Sequence, residues 1–218
     1  EKDLLDAVEA AVECGWRRIK LYFMIGLPTE TDEDLQGIGG LVSRVIDVGR
    51  RRRIPFTLNI TISPFVPKPH TPFQWRAMAT LEELDRKISL IRPLLRGKNI
   101  SLSWHDPRCS RVEAALARGD RQLGVVIHEV WKNGGKLEQD RFNNDRWLAA
   151  FDTAGLDIEY YANRDVPKDA PLPWDHIDVG VSKKFLALED DKANRGEATP
   201  DCRFGVCSDC GLSKALKE

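Results

Sequence analysis

The fold is decided by one stretch, KLYFMIGLPTETDEDL at Lys20–Leu35, and the other segments are interpreted from it. Its first six residues contain no turn residue and are apolar on both faces, which is typical of a strand buried from both sides in a parallel sheet. Pro28 ends the strand because proline has no amide hydrogen for a ladder. Thr31 and Asp34 form a pattern that starts helices. The exposed turn between strand and helix is either an ordinary βα connection or a ligand-binding loop, since α/β proteins bind ligands at this edge.

Strands and helices alternate on both sides of this stretch. The first strand covers Ile19–Ile25, and a second is predicted at Phe56–Ile62. A helix over Leu81–Leu94 then leads to a third strand at Ile100–Trp104. Because βαβ connections are right-handed, we expect the three strands to be parallel neighbours with helices on one side.

The second predicted strand alternates strictly between apolar and polar residues. The apolar set is Phe56, Leu58, Ile60 and Ile62, and the polar set is Thr57, Asn59, Thr61 and Ser63. In a barrel covered by helices, the apolar row faces the helices and the polar row faces the lumen. A polar lumen indicates a ligand cavity. A strand at a sheet edge with one wet face is the alternative.

Three further features carry candidate chemistry. The segment from Pro64 to Trp75 contains four prolines, so it is extended, and its apolar content predicts that it folds over the barrel mouth. For His70 in this segment, a structural or solvated role is favoured over a ligand role. His105 follows the third strand, and both roles stay open for it. The run Arg50–Arg53 is interpreted as cations at a helix C-terminus in preference to a phosphate site.

Composition restricts the class of protein. The chain has 218 residues, 42% of them hydrophobic and 31% charged, with a formal net charge of −1. This charge gives no strong nucleic-acid signature, and no apolar run reaches the length of about 20 residues that a membrane span needs. An odd number of cysteines, five, indicates a reducing compartment, which we expect to be the cytoplasm. The chain begins at Glu1 without a signal peptide or an initiator methionine, which predicts a fragment.

Beyond the third strand the alternation stops. Helices are predicted at Arg108–Arg118, Asp120–Lys132 and Asp145–Ala154, and they form a helical extension. The sequence therefore predicts three regions. Residues 1–107 form the α/β part, residues 108–160 the extension, and residues 161–218 an irregular tail.

The tail contains a metal-type motif. Cys202, Cys207 and Cys210 have the spacing C-x4-C-x2-C, which lets sulfurs converge on one ion or cluster. Zinc is slightly favoured over an auxiliary iron–sulfur cluster, and three unligated thiols are the alternative. The fourth ligand is either an external group or one of three residues: Cys14, Cys109 or His176.

Several motifs together resemble one family. They are GLPTET at Gly26–Thr31, FVPKPHTPF at Phe65–Phe73, RGDR at Arg118–Arg121, PWDH at Pro173–His176 and the closing cysteines. In combination they resemble an uncharacterised family of cobalamin-binding radical S-adenosylmethionine (radical SAM) proteins. The resemblance implies that this chain holds the last strands and helices of a partial (β/α) radical SAM barrel, followed by the helical extension and the cysteine-containing tail.

The resemblance also implies a cofactor site and an activity. Adenosylmethionine is expected near six residues: Gly26, Leu27, Pro28, Glu30, Phe65 and Val66. The C-x3-C-x2-C motif of the family does not occur here, so the ligands of a 4Fe–4S cluster, and any cobalamin-binding part, are expected in upstream domains of the same protein. The intact protein is then expected to form a 5′-deoxyadenosyl radical that abstracts hydrogen from an unknown substrate, and this chain alone is expected to be inactive. The alternative is a non-catalytic, zinc-stabilised module that recognises RNA or a protein partner.

Overall fold

A computed structural model describes residues 1–138 and 140–212, and it groups the chain into two compact units. The first unit consists of Glu1–Phe65 and Ala79–Pro107. The second consists of Val66–Met78 and Arg108–Glu218, so most of the proline-rich segment is grouped with the carboxyl-terminal helices. Within the described residues, no helix combines the length and the apolar character needed to cross a membrane. Residues 213–218 of the predicted tail region lie outside the described residues.

The first unit is a parallel α/β arrangement, as predicted. Its elements are α1 (Lys2–Glu13), β1 (Arg18–Ile25), α2 (Asp32–Arg52), β2 (Thr57–Pro64), α3 (Leu81–Ile91) and β3 (Ile100–Trp104). The strand order is β1-β2-β3, and both pairings are parallel. The prediction of three neighbouring parallel strands is therefore confirmed. Successive right-handed crossovers in one direction place α2 and α3 on the same face of this sheet.

Helix α2 begins where the sequence indicates. The Thr31 side chain accepts a hydrogen bond from the Asp34 amide, and the Asp34 carboxylate accepts one from the Thr31 amide at 2.8 Å. This capping box satisfies two amides that the first turn of a helix leaves unpaired. The helix ends at Arg53, whose φ of 56° lies in the left-handed region. The connection from β1 to α2 is thus fixed by local hydrogen bonds.

The two faces of the sheet differ in burial. In β2, Leu58, Ile60 and Ile62 are buried, and the polar residues between them are half-buried or exposed. The prediction that β1 is buried from both sides is wrong, because Tyr22 is 65% exposed and Met24 is 48% exposed. The register pairs Tyr22 with Thr61 and Met24 with Ser63, so these residues lie on the polar face of β2. β1 is an edge strand with one apolar face under the helices and one open face.

Packing between α2 and the connection that leads to β2 depends on Gly49. A Cβ atom at Gly49 would lie 2.5 Å from the ring of Phe56 and 2.9 Å from the carbonyl oxygen of Ile54. A contact with backbone cannot be relieved by a side-chain rotation, so Gly49→Ala is expected to lower the free energy of unfolding by roughly 1–3 kcal/mol. Gly37 in the same helix has no neighbour within 4 Å, which makes it the matched control.

Gly37→Ala is expected to raise the free energy of unfolding by up to about 1 kcal/mol, because alanine loses less backbone entropy in a helix. Urea denaturation of both variants measures the two effects. Equal effects of the two substitutions would contradict the packing assigned to Gly49.

The second unit is helical. It contains most of α4 (Pro107–Arg118), together with α5 (Leu123–Lys132), α6 (Asn144–Thr153), α7 (Ile158–Ala162) and α8 (Lys183–Asn194). Trp75, Leu172, Trp174 and Leu186 form a buried cluster, and the indole of Trp174 donates to the Gln74 side chain at 2.7 Å. The region after residue 160, expected to be irregular, therefore includes helix α8. Its buried residues are only Leu186 and Asp190, which explains its weak apolar periodicity.

Candidate functional site

The turn after β1 is held by hydrogen bonds among its own residues. The amide of Gly26 donates to the Glu30 carboxylate at 2.8 Å, and the amide of Glu30 donates to the Leu27 carbonyl at 3.1 Å. Gly26 has a φ of 78° and Thr29 a φ of 68°, both in the left-handed region. Thr29 is not a glycine, so this conformation is sparsely populated and must be stabilised by its surroundings.

Glu30 is tied to α3 by an ion pair that the sequence does not reveal. Its carboxylate lies 2.7 Å from the ammonium group of Lys87, and both side chains are only 5% exposed. The Glu30 carboxylate thus receives hydrogen bonds from Gly26 and from Lys87. A charge that is buried and paired in this way positions the turn. The structure assigns Glu30 to holding the turn in place.

Gly26 faces the interior. A Cβ atom at this position would lie 3.0 Å from the Leu84 side chain and 3.3 Å from Ala79. The residue is therefore small because of packing within the first unit. A substitution such as Gly26→Val would disturb the fold, and it cannot report on a ligand. Leu27 is 37% exposed, so this turn residue can be replaced without leaving a cavity in the core.

The carboxyl ends of β1 and β2 bring predicted residues together. Phe65 donates its amide to the Ile25 carbonyl at 2.8 Å, so it lies beside the turn that begins at Gly26. Phe65 is nearly buried and closes the first segment of the first unit. Val66 belongs to the second unit. Of the six predicted cofactor residues, the structure places five at one edge of the first unit, and their binding role stays a prediction.

The open face of the sheet carries polar groups near this edge. Thr61 and Ser103 are joined through their hydroxyls at 3.2 Å. The Ser63 hydroxyl lies 3.5 Å from Nδ1 of His105, at the carboxyl ends of β2 and β3. The amide of His105 donates to the Ile62 carbonyl at 2.9 Å, which continues the ladder beyond Trp104. The face can therefore present hydroxyl and imidazole groups to a ligand.

The sequence analysis did not identify Tyr22 and Met24 as residues of the open face, or Lys87 as the partner of Glu30. The alternation of β2 could have identified Tyr22 and Met24, because residues paired across neighbouring parallel strands lie on the same face of the sheet. No sequence pattern predicted the burial of Lys87, since a lysine on a helix is ordinarily solvated.

The tail cysteines are not gathered in the structure. Cys202 and Cys207 are exposed, Cys210 is half-buried, and among the described residues no two cysteines form a disulfide. Residues 1–138 and 140–212 contain no group of three or more His, Cys, Asp or Glu side chains that could hold a metal ion. The Cys210 carbonyl accepts a hydrogen bond from the Ser182 amide at 2.8 Å, which ties this part of the tail to the start of α8. The metal site stays a prediction from spacing.

The RGDR motif has a structural role. Arg118 is buried and donates to the carbonyl groups of Tyr161, Ala162 and Arg164 at 2.6–2.9 Å. Burial lowers the pKa of this guanidinium to about 10, which leaves it charged at neutral pH. A Cβ atom at Gly119 would overlap the Leu123 side chain. The motif therefore joins α4 to the end of α7 and to the segment after it.

Comparison with known proteins gives one informative similarity. An uncharacterized protein of Methanocaldococcus jannaschii is 32% identical over 164 residues, which are 72% of this chain and 34% of that protein. The chain therefore spans about a third of the length of the relative that it matches. No protein-family model matches the chain, and no solved structure matches it.

Proposed function

We propose that residues 1–218 are the carboxyl-terminal part of a longer radical SAM enzyme and that their sheet is the last part of a partial (β/α) barrel. The observation that carries the proposal is the two-faced parallel sheet: β2 buries one row of side chains, and its other row is polar and half-exposed. A barrel lumen that holds a substrate requires such a row. The similarity to a protein about three times the length of the matched segment is consistent with a larger whole.

In this proposal the cofactor lies at the carboxyl edge of the sheet. Leu27, Pro28 and Phe65, all in the first unit, border adenosylmethionine, and Glu30 holds the turn through its hydrogen bond to Gly26. When bound, the 4Fe–4S cluster and adenosylmethionine would supply a 5′-deoxyadenosyl radical for hydrogen abstraction from an unknown substrate.

The residues on the open face would contact that substrate. Ser63, Thr61 and Ser103 can donate or accept hydrogen bonds. His105 can move a proton at Nδ1, where it meets the Ser63 hydroxyl. Tyr22 and Met24 would cover apolar parts of the substrate.

The proposal includes parts outside this chain. The cluster ligands and any cobalamin-binding domain belong to upstream sequence, and zinc or an auxiliary iron–sulfur cluster at Cys202, Cys207 and Cys210 remains part of the proposal. We also propose a cytoplasmic location, since the chain has an odd number of cysteines, five, and no two of them form a disulfide within the described residues.

The gene provides the first test. The coding sequence immediately upstream of residue 1 is expected to encode C-x3-C-x2-C within the same reading frame. An upstream stop codon with no such motif in the transcript would contradict the proposal.

Adenosylmethionine binding provides a second test. In the complete protein, Leu27→Asp is expected to weaken the affinity roughly tenfold, because a carboxylate at this position loses water when the cofactor covers it. Trp16→Asp is the control, since Trp16 is 65% exposed and precedes β1 at the other end of the sheet. Isothermal titration calorimetry measures both Kd values. An unchanged Kd for Leu27→Asp, with the fold intact, would contradict the assigned edge.

A further inference from the structure

A cleft lies at the opposite end of the sheet from the Gly26 turn. Its volume is about 460 Å³, and it is formed by the connection from α2 to β2 and the connection from α3 to β3. Both connections meet at the amino ends of β2 and β3. Small-molecule sites have volumes of roughly 300–1,000 Å³, so this cleft is large enough for a ligand of nucleotide size.

The floor of the cleft is apolar. The apolar residues among its lining are Ile46, Ile54, Pro55, Phe56, Leu58 and Ile100. The ring of Phe56 is seated against Gly49, which has no side chain to displace it. An aromatic ring and branched aliphatic groups on one surface suit the flat, apolar body of an organic ligand.

The rim of the cleft is cationic. It carries Arg50, Arg53, Arg96 and Lys98, and none of its described lining residues is acidic. The whole chain has a formal charge of −1, so this concentration of positive charge is local. Arg50 is engaged with Asp47 at 3.0 Å. In the part of the chain that the structure describes, the side chains of Arg53, Arg96 and Lys98 have no ion-pair partner.

Neutralisation of a helix C-terminus accounts for Arg50 and Arg53, which lie at the end of α2, but not for Arg96 and Lys98. The last turn of α2 already contains Arg50, Arg51 and Arg52, and Arg52 is paired with Glu9 and Glu13 of α1. Arg96 and Lys98 follow α3 by several residues, beyond the range of a helix-terminal dipole.

Arg53 stands at a position where glycine would suit the backbone better. Its φ is 56°, in the left-handed conformation that closes α2. Helices that end in this way usually have glycine there, because a side chain adds steric cost. A long cation at this position, on the rim of an apolar cleft, suggests a function for its guanidinium.

We propose that this cleft binds a phosphorylated organic anion of nucleotide size, with its apolar or aromatic body on the floor and its phosphate groups at Arg53, Arg96 and Lys98. Guanidinium groups match phosphate geometry, and three cations without partners lose no existing ion pair when a phosphate arrives. The site is independent of the proposed function, because it lies at the other end of the strands.

Binding of a methylanthraniloyl derivative of ATP to the 218-residue protein, measured by fluorescence anisotropy in EDTA, tests the proposal. Wild-type protein is expected to bind the probe with a micromolar Kd and to bind unphosphorylated adenosine far more weakly. Arg96→Gln combined with Lys98→Gln is expected to raise the Kd by at least about tenfold. Arg51→Gln is the matched control, since Arg51 is exposed and does not line the cleft, and its Kd is expected to stay within about twofold of wild type.

The Arg53→Gly variant distinguishes an effect on probe binding from an effect on folding. Glycine suits the left-handed φ, so this variant is expected to have an equal or higher Tm and yet to bind the probe more weakly. Three results would overturn the proposal: no binding at millimolar probe, equal binding by the Arg96→Gln/Lys98→Gln and Arg51→Gln variants, or tighter binding of single-stranded RNA with no binding of the nucleotide.

Discussion

Replacing Lys87 by methionine is expected to lower the free energy of unfolding of the first unit by about 3–5 kcal/mol. The ammonium group of Lys87 lies 2.7 Å from the Glu30 carboxylate, and both side chains are 5% exposed. Methionine preserves most of the lysine stem but leaves the carboxylate buried without a counter-charge. Because Glu30 also accepts the hydrogen bond of the Gly26 amide, we expect the turn after β1 to loosen as well.

A double-mutant cycle measures the interaction energy between Glu30 and Lys87. Glu30→Gln alone leaves the Lys87 charge buried, and it is expected to be destabilising too. Glutamine keeps an oxygen that can accept from Gly26, so Glu30→Gln combined with Lys87→Met is expected to be more stable than either single variant. The coupling energy is expected to be about 2–3 kcal/mol.

The unfolding of the first unit can be measured separately from that of the second by urea titration with pulsed hydrogen exchange on peptides from β1 and β2. Arg86→Met is the control, since Arg86 forms exposed ion pairs with Asp32 and Glu83 and is expected to have little effect. If Lys87→Met behaved like Arg86→Met, the buried pair would not hold the turn.

The second large effect is expected at Asp190. Its side chain is fully buried and receives two hydrogen bonds from Arg76, at 2.7 and 2.9 Å, and lies 2.8 Å from the Lys168 ammonium group. Asp190→Asn removes the charge that both cations face, and it is expected to cost the second unit about 3–5 kcal/mol. Asp191→Asn is the matched control, because Asp191 is half exposed and meets Lys168 at the surface, where a much smaller effect is expected.

The same site predicts a pH dependence. Burial raises the pKa of Asp190, but hydrogen bonds from Arg76 and Lys168 outweigh burial and hold the pKa below its ordinary value. A carboxyl with a lowered folded-state pKa stabilises the protein above its unfolded-state pKa of about 3.9 and loses that contribution as pH falls through the folded-state pKa. The second unit is therefore expected to become less stable below about pH 4.

Urea midpoints of peptides from α8, measured between pH 7 and pH 3, test this expectation. The slope with pH is expected to be smaller in Asp190→Asn than in wild type. Identical slopes would show that Asp190 does not titrate with unfolding.

Local patterns were sufficient to predict the three strands of the first unit and their parallel order. The alternation from Thr57 to Ser63 identified both the strand and its two faces, and the confirmed parallel pairing of neighbouring strands follows from βαβ connectivity. The capping residues Thr31 and Asp34 marked the start of α2 because their hydrogen bonds lie within four residues. Such signals need no information about distant parts of the chain.

Long-range packing was not predictable in the same way. The exposure of Tyr22 depends on what covers the second face of the sheet, which an apolar run does not reveal. Trp75 packs with Leu172 and Trp174, about a hundred residues further along the chain, so the proline-rich segment could not be assigned to the second unit from its composition. The ion pairs of Glu30 and Asp190 are equally non-local.

Analysis of the reaction products tests the proposed radical SAM activity of the complete protein. The complete protein, including its upstream sequence, is purified without oxygen, supplied with iron and sulfide, reduced with dithionite and incubated with adenosylmethionine. We expect formation of 5′-deoxyadenosine, detected by liquid chromatography, and its loss when the upstream cluster cysteines are changed to alanine. If protein that carries a reduced 4Fe–4S cluster, verified by electron paramagnetic resonance, still forms no 5′-deoxyadenosine, the proposed radical SAM activity is contradicted.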